Sequence, residues 1–152
     1  ISGPEPQRTL LDQVLTDQLR NIPGEHLLVR GLPAQHQEER FGNLTTLPHL
    51  NGTELASAMA AAELIVSRSG YTTLMDLVAL GRSAVIIPTP GQAEQEYLGE
   101  LHARTGRFLV QRQDHIDLED ALRRSSAATE FRSANGHPLL ERALEDLAAL
   151  LR

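Results

Sequence analysis

The sequence predicts an α/β fold, a Rossmann-like parallel sheet with helices on both faces. Short apolar segments of strand type alternate along the chain with longer segments in which leucine and alanine recur at helical spacing. Glycine, proline and serine separate the two kinds of segment. Such alternation favours parallel strands joined by right-handed crossovers, so the loops that follow the strands should lie along one edge of the sheet.

The first half of the chain contains two predicted helices and two predicted strands. Thr53 is the expected N-cap of the second helix, and Arg30 is expected to be solvated in a polar loop. The elements are, in order, a helix that starts at Pro6 and ends before Pro23, a strand over 26–31, a loop through Gly42, a short edge strand over 43–47 and a helix over 53–62.

The second half starts with the most regular unit, a buried strand, a tight turn and a helix whose apolar stripe faces the sheet. Its elements are a strand over 64–66, a turn at Ser69 and Gly70, a helix that ends near Gly81, a strand over 83–87, a helix over 94–104, a strand over 107–110, a helix over 118–124, a loop over 125–136 and an amphipathic helix over 139–151.

The composition predicts one soluble, cytoplasmic domain over residues 1–152. Hydrophobic residues make up 41% of the chain, enough for a core, and no apolar run approaches a membrane span. The net charge of -6 and an aromatic content of 3% argue against a nucleic-acid surface. The chain contains neither cysteine nor lysine, which excludes disulfides, thiol nucleophiles and a lysine Schiff base.

The turn at Ser69 and Gly70 is a candidate anion site. A helix N-terminus offers unpaired N–H groups and the positive end of the helix dipole, so it can hold an anion without a metal. Arg68 adds a cation that can bind phosphate oxygens with two parallel hydrogen bonds. An ordinary N-cap is the alternative explanation of the same Ser-Gly pair.

The helix after this turn carries polar side chains opposite its apolar stripe. Thr72 and Asp76 are four residues apart and therefore neighbours, and Thr73 lies three residues before the carboxylate. Hydroxyls near the turn suit a phosphate, and an acid one turn further suits a sugar diol. Together with the turn, these side chains favour a nucleoside diphosphate site.

Two further loops can contribute to the same edge. Arg8 falls in the first turn of its helix, where its charge opposes the dipole unless an anion compensates it, so Arg8 is a candidate phosphate contact. Gln92 and Gln95 follow a predicted strand, and amides both donate to and accept from sugar hydroxyls. Glu96 beside them has the simpler explanation of an acid stabilised at a helix start.

Three segments of the sequence resemble the C-terminal domain of family 28 glycosyltransferases. They run from Ser67 to Asp76, from Ala79 to Pro88 and from Gly91 to Tyr97. The resemblance implies one half of a GT-B fold, in which two Rossmann-like domains face each other across a cleft and the C-terminal one binds the nucleotide sugar. We therefore expect an acceptor-binding N-terminal domain upstream, and the first residues look cut from a longer protein.

The resemblance also implies roles for individual residues. Glu96 stands where the family has the second residue of a glutamine pair, and Pro4-Glu5-Pro6 replaces the glycine-rich form of the first loop. The implied contacts are Ser69 and Gly70 to the diphosphate, Arg8 to phosphate, Asp76 to the ribose hydroxyls, Gln95 and Glu96 to the donor sugar, and the segment around His49 and Leu50 to the base.

The implied reaction transfers a sugar from a nucleoside diphosphate, expected to be UDP, to an acceptor hydroxyl. No metal and no cofactor are expected, and in the family the general base belongs to the N-terminal domain, so this domain alone should be inactive. Any peripheral association with a membrane would come through that missing half. Three alternatives stay open: a UDP-sugar hydrolase or epimerase of GT-B architecture, a non-catalytic nucleotide-sugar binding module, and a homodimer of the excised domain.

Overall fold

The computed structural model describes residues 1–127 of the chain. The elements alternate as the sequence predicts, with one additional strand. They are α1 (Gln7–Leu19), β1 (His26–Val29), β2 (Glu39–Phe41), β3 (Leu44–Leu47), α2 (Gly52–Ala61), β4 (Val66–Ser67), α3 (Tyr71–Ala79), β5 (Val85–Ile86), α4 (Ala93–Thr105), β6 (Leu109–Val110) and α5 (Leu118–Ala127).

The strands form two sheets of three. In the first sheet the order is β1-β3-β2, with β1 and β3 parallel and β2 antiparallel to β3. In the second sheet the order is β4-β5-β6 and every pair is parallel. Ile1 lies against the end of β1. Its amino group donates to the carbonyl of Val29, and a Cβ on Gly31 would collide with its carbonyl oxygen.

Helices cover both faces of the β4-β5-β6 sheet, as predicted. Val85 and Ile86 are adjacent in β5 and fully buried, and they belong to two different apolar clusters because successive strand residues point to opposite faces. One cluster joins β5 to α1 and α5, and the other joins it to α2, α3 and α4. The predicted α/β, Rossmann-like class is therefore confirmed.

Two predictions about the first sheet are wrong. Residues 39–41 were expected in a loop, yet they form β2, and β3 is the central strand of its sheet rather than an edge strand. Arg30 is not simply solvated, because its guanidinium donates to Asp12 at 3.2 Å and to Glu39 at 2.8 Å. This half-buried ion pair fastens β2 to α1, which explains how a polar segment becomes a strand.

Two helix boundaries also differ from expectation. The N-cap of α2 is Asn51 rather than Thr53, and it forms a reciprocal capping box with Glu54 at 3.0 Å in each direction. Helix α5 continues through Ala127, so residues 125–127, which were predicted in a loop, are helical. The predicted helix over 139–151 lies outside the described residues. Within residues 1–127, no helix combines the length and apolar character needed to cross a bilayer.

Candidate functional site

Arg68 joins the three loops that the topology was expected to bring together. It lies directly after β4, and its side chain is only 3% exposed. Its Nε donates to the carbonyl of Ser2 at 3.4 Å, and its Nη2 donates to that of Gln7 at 2.9 Å. Its Nη1 donates to the carbonyls of Ile87 and Pro88, both at 3.3 Å. The loop before α1, the loop before α3 and the loop before α4 therefore meet, and their predicted convergence is confirmed.

The environment of Arg68 is unusual for a cation. Burial lowers the pKa of its guanidinium to about 10, so the group still carries its charge at neutral pH. Carbonyl oxygens supply the hydrogen bonds that a buried charge requires. The direct phosphate contact expected of Arg68 stays a prediction, and in the structure this guanidinium is engaged with the backbone instead.

The start of α3 offers free backbone donors. Gly70 is its N-cap, with extended backbone and no side chain to accept from the first turn. The hydroxyl of Ser69 is fully buried and donates to the carbonyl of Gln95 at 2.7 Å, so it ties this turn to α4. Unlike α2, which closes its first turn with Asn51, α3 leaves its first N–H groups without a side-chain acceptor.

The polar residues of α3 point away from the core. Thr72 and Asp76 are exposed, whereas Leu74 and Leu77 on the opposite face are buried. Thr73 between these two faces is half-buried. The predicted orientation is confirmed, while the assignment of these side chains to phosphate and ribose stays a prediction.

Arg8 already has the anion that its position in α1 requires. Its Nε donates to a carboxylate oxygen of Glu5 at 3.1 Å, and its Nη2 donates to the same oxygen. The second oxygen of Glu5 accepts from the backbone N–H of Thr9 at 3.2 Å. Hydrogen bonds from Arg8 and Thr9 lower the pKa of the Glu5 carboxyl below 4.5. Any phosphate that reaches Arg8 therefore competes with a carboxylate already in place.

Gln95 fixes the loop between β5 and α4 from inside. Its Oε1 accepts from both the backbone N–H and the hydroxyl of Thr89, which is fully buried. Its Nε2 donates to Oε1 of Gln92 at 2.6 Å, so the oxygen of the Gln92 amide is already engaged. Sequence reasoning missed Thr89, and only its place between two prolines marked this loop as constrained.

The remaining loop contacts come from Glu96, Gly99 and Leu50. Glu96 is exposed, and its carboxylate accepts from the backbone N–H of Gly91 at 2.9 Å. A Cβ on Gly99 would collide with the Pro88 ring, so α4 packs closely against the loop. Leu50 is half-buried in the connection between β3 and α2.

Two tyrosines flank this edge of the domain. Tyr71 is the first residue of α3 and Tyr97 lies in the second turn of α4, and each is 62% exposed. An open groove of about 850 Å³ runs beside the loops between α1 and α4, with Leu10, Val14 and Ala103 in its walls. It shares Gln7, Pro88 and Glu96 with the loops but does not include Thr72 or Asp76.

Within residues 1–127, no group of three or more histidine, aspartate and glutamate side chains is arranged to hold a metal ion. The arrangement that remains is a set of backbone N–H groups, one arginine and several amides at the carboxyl ends of parallel strands. In open α/β sheets this edge is where ligands bind. Chemically, it suits an anionic ligand that also carries hydroxyl groups.

Such a fold defines the Rossmann-like class of α/β domain, and comparison with known proteins gives the family. The model of the glycosyltransferase family 28 C-terminal domain matches residues 13–147. The chain therefore belongs to this family, and it is a donor-side domain of a glycosyltransferase. No solved structure gave a significant match.

Curated relatives agree with the family. A protein of Methylobacterium radiotolerans is 46% identical over 43 residues, which is 28% of this chain and 12% of the relative. One from Moorella thermoacetica is 36% identical over 73 residues, 47% of this chain and 19% of the relative. Both are named UDP-N-acetylglucosamine--N-acetylmuramyl-(pentapeptide) pyrophosphoryl-undecaprenol N-acetylglucosamine transferase. The matched segments thus span under a fifth of these relatives.

Proposed function

We propose that this domain binds a UDP-sugar as the donor for transfer of the sugar to an acceptor hydroxyl. The observation that carries the proposal is the start of α3, where Gly70 leaves the first N–H groups without a side-chain acceptor at the point where three loops meet. A helix N-terminus of this kind binds a diphosphate through backbone donors and the helix dipole. Names of the relatives make UDP-N-acetylglucosamine the first donor to test.

Different polar groups around α3 bind different parts of the proposed donor. The diphosphate would lie at Ser69 and Gly70, near Arg8 and the hydroxyls of Thr72 and Thr73. As the bond to the sugar breaks, negative charge grows on the departing diphosphate. The fixed N–H dipoles at the start of α3 and the positive charge of Arg8 stabilise that charge. They lower the activation barrier for sugar transfer and make transfer without a metal feasible.

The nucleoside and the sugar occupy opposite sides of the proposed diphosphate site. Asp76 accepts from the ribose hydroxyls, because an exposed carboxylate can accept from both members of a diol. The base lies toward Leu50, which can offer backbone groups from its loop. The donor sugar faces the loop before α4, where Gln92 presents its amide and Gln95 and Glu96 hold the loop in shape.

We further propose that the general base and the acceptor site belong to a second domain, and that this domain alone does not turn over. The relatives support a second domain, because the matched segments cover only 12% and 19% of their length. A cytoplasmic location, and membrane contact only through the other domain, complete the proposal.

Calorimetric titration of the chain with UDP, UMP and UDP-N-acetylglucosamine tests this function. UDP should bind well above UMP because the second phosphate reaches the start of α3. Asp76→Ala should weaken UDP binding about tenfold, the usual effect of losing a hydrogen bond to a charged group. The control is Asp17→Ala, which removes an exposed carboxylate on a different helix, α1, and should leave UDP binding unchanged. Equal effects of both variants, or no nucleotide binding at millimolar concentration, would contradict the proposal.

A further inference from the structure

We infer that Arg68 is a positioning residue, which sets the directions of the peptide groups around the proposed diphosphate site without touching the donor itself. The inference rests on the proposed function and adds to it a residue that acts through the backbone. Its basis is the set of four carbonyl contacts that one buried guanidinium makes with two distant segments of chain.

The contacts join parts of the chain that lie far apart in sequence. Ser2 and Gln7 lie more than 60 residues from Arg68 in sequence, and Ile87 and Pro88 lie 19 and 20 residues from it. A guanidinium is a rigid planar fork, so it can hold several acceptors in fixed relative directions. A lysine ammonium has three donors around one point and cannot reproduce this pattern.

Three of the four carbonyls held by Arg68 also orient the next N–H group, whereas the carbonyl of Ile87 precedes Pro88, which has no N–H. In a trans peptide, the C=O and the following N–H point in opposite directions within one plane. The carbonyl of Ser2 faces Arg68, so the N–H of Gly3 points away from the guanidinium. The carbonyl of Pro88 does the same, and the N–H of Thr89 accordingly points away and donates to Gln95 at 3.0 Å. Arg68 therefore determines which way both loops present their donors.

Burial and neighbours separate the role of Arg68 from that of Arg8. Arg68 is 3% exposed, and all three of its guanidinium nitrogens donate to carbonyls within the protein. Arg8 is partly exposed and bound only to the exposed Glu5, so it is the cation that a phosphate can reach. Loss of Arg68 would free three loops, whereas loss of Arg8 would remove one contact.

Hydrogen exchange of the unliganded chain tests the positioning role independently of any ligand. In Arg68→Lys and Arg68→Gln, amides of residues 2–9 and 87–92 should exchange about tenfold faster, because each variant loses hydrogen bonds to a charged group. Exchange in β1 and β3 should not change. Arg30→Gln is the matched control, since it breaks the ion pairs of a different, half-buried arginine. In this variant, exchange should become faster near Asp12 and Glu39 instead.

Nucleotide binding tests whether that order serves the site. UDP affinity should fall at least about tenfold in Arg68→Lys and Arg68→Gln at a temperature where circular dichroism shows full folding, and stay unchanged in Arg30→Gln. A lysine variant that binds UDP like the wild type, or exchange that rises evenly along the chain, overturns the inference. If the wild type binds no nucleotide, the proposed function fails, whereas the exchange pattern still decides whether Arg68 holds the loops.

Discussion

The side-chain oxygen of Gln95 accepts two hydrogen bonds from Thr89, one from its backbone N–H at 3.0 Å and one from its hydroxyl at 2.9 Å. Thr89 is fully buried, so neither donor has water as a substitute. The first turn of α4 thus closes the loop that precedes it. Gln95 acts on this loop from within, which differs from the direct contact with the donor sugar that the sequence predicts for it.

Gln95→Leu should destabilise the protein by about 2 kcal/mol, because it leaves two buried donors of Thr89 without an acceptor. Chemical denaturation with urea measures the change in the free energy of unfolding. Gln35→Leu, the same substitution at an exposed loop position, should stay within about 0.5 kcal/mol of the wild type. Equal stability of both variants would mean that Thr89 does not depend on Gln95.

Glu5→Gln should strengthen UDP binding roughly threefold, since it weakens the carboxylate that competes for Arg8 at an exposed ion pair. Calorimetry provides the dissociation constant. Glu25→Gln removes the same charge from an exposed pair with Arg40 and controls for net charge. Weaker binding in Glu5→Gln would show that the carboxylate orients Arg8 for the ligand rather than competing with it.

Asn51→Ala should lower the free energy of unfolding by about 1 kcal/mol, the usual effect of losing an N-cap side chain. Thr53→Ala should have a clearly smaller effect, because Asn51 and not Thr53 caps α2. Thermal unfolding of both variants followed by circular dichroism distinguishes them. The reverse order of stabilities would restore the prediction made from the sequence.

His102 should make stability depend on pH below 6.5. Burial first, and then the nearby charge of Arg107, lower the pKa of this imidazole in the folded state. The unfolded chain therefore binds the proton more readily. The contribution of the neutral imidazole to stability is fully present above pH 6.5 and is lost as the pH falls through the lowered pKa.

Urea unfolding at pH 7.5 and pH 5.5 measures this dependence. The difference between the two pH values should shrink in His102→Gln but not in His36→Gln, which changes an exposed loop histidine. If His102→Gln keeps the full difference, other groups are responsible for it.

Local sequence patterns were sufficient for α1 and α3, because their apolar residues repeat at helical spacing over several turns and face a core. They were insufficient for β2, whose residues Glu39, Arg40 and Phe41 show no strand pattern. This strand depends on partners outside its own three residues: β3, the ion pair of Glu39 with Arg30, and Arg20, which lies 5.5 Å from the Phe41 ring.

The candidate site was also predictable only in part. Parallel topology predicts that the loops meet, and the position of Arg8 predicts a compensating anion. The identity of that anion, Glu5, and the internal contacts of Arg68 and Gln95 depend on loop geometry, which residue types alone do not specify.

Tyr71 and Tyr97 are the only tyrosines of a chain that has no tryptophan. Both lie exposed near the starts of the helices that border the proposed donor site. Ultraviolet emission of the chain above the phenylalanine band therefore originates at this one edge, and a nucleotide bound there would quench it. The domain carries its own optical reporter, at a position where no label has to be attached.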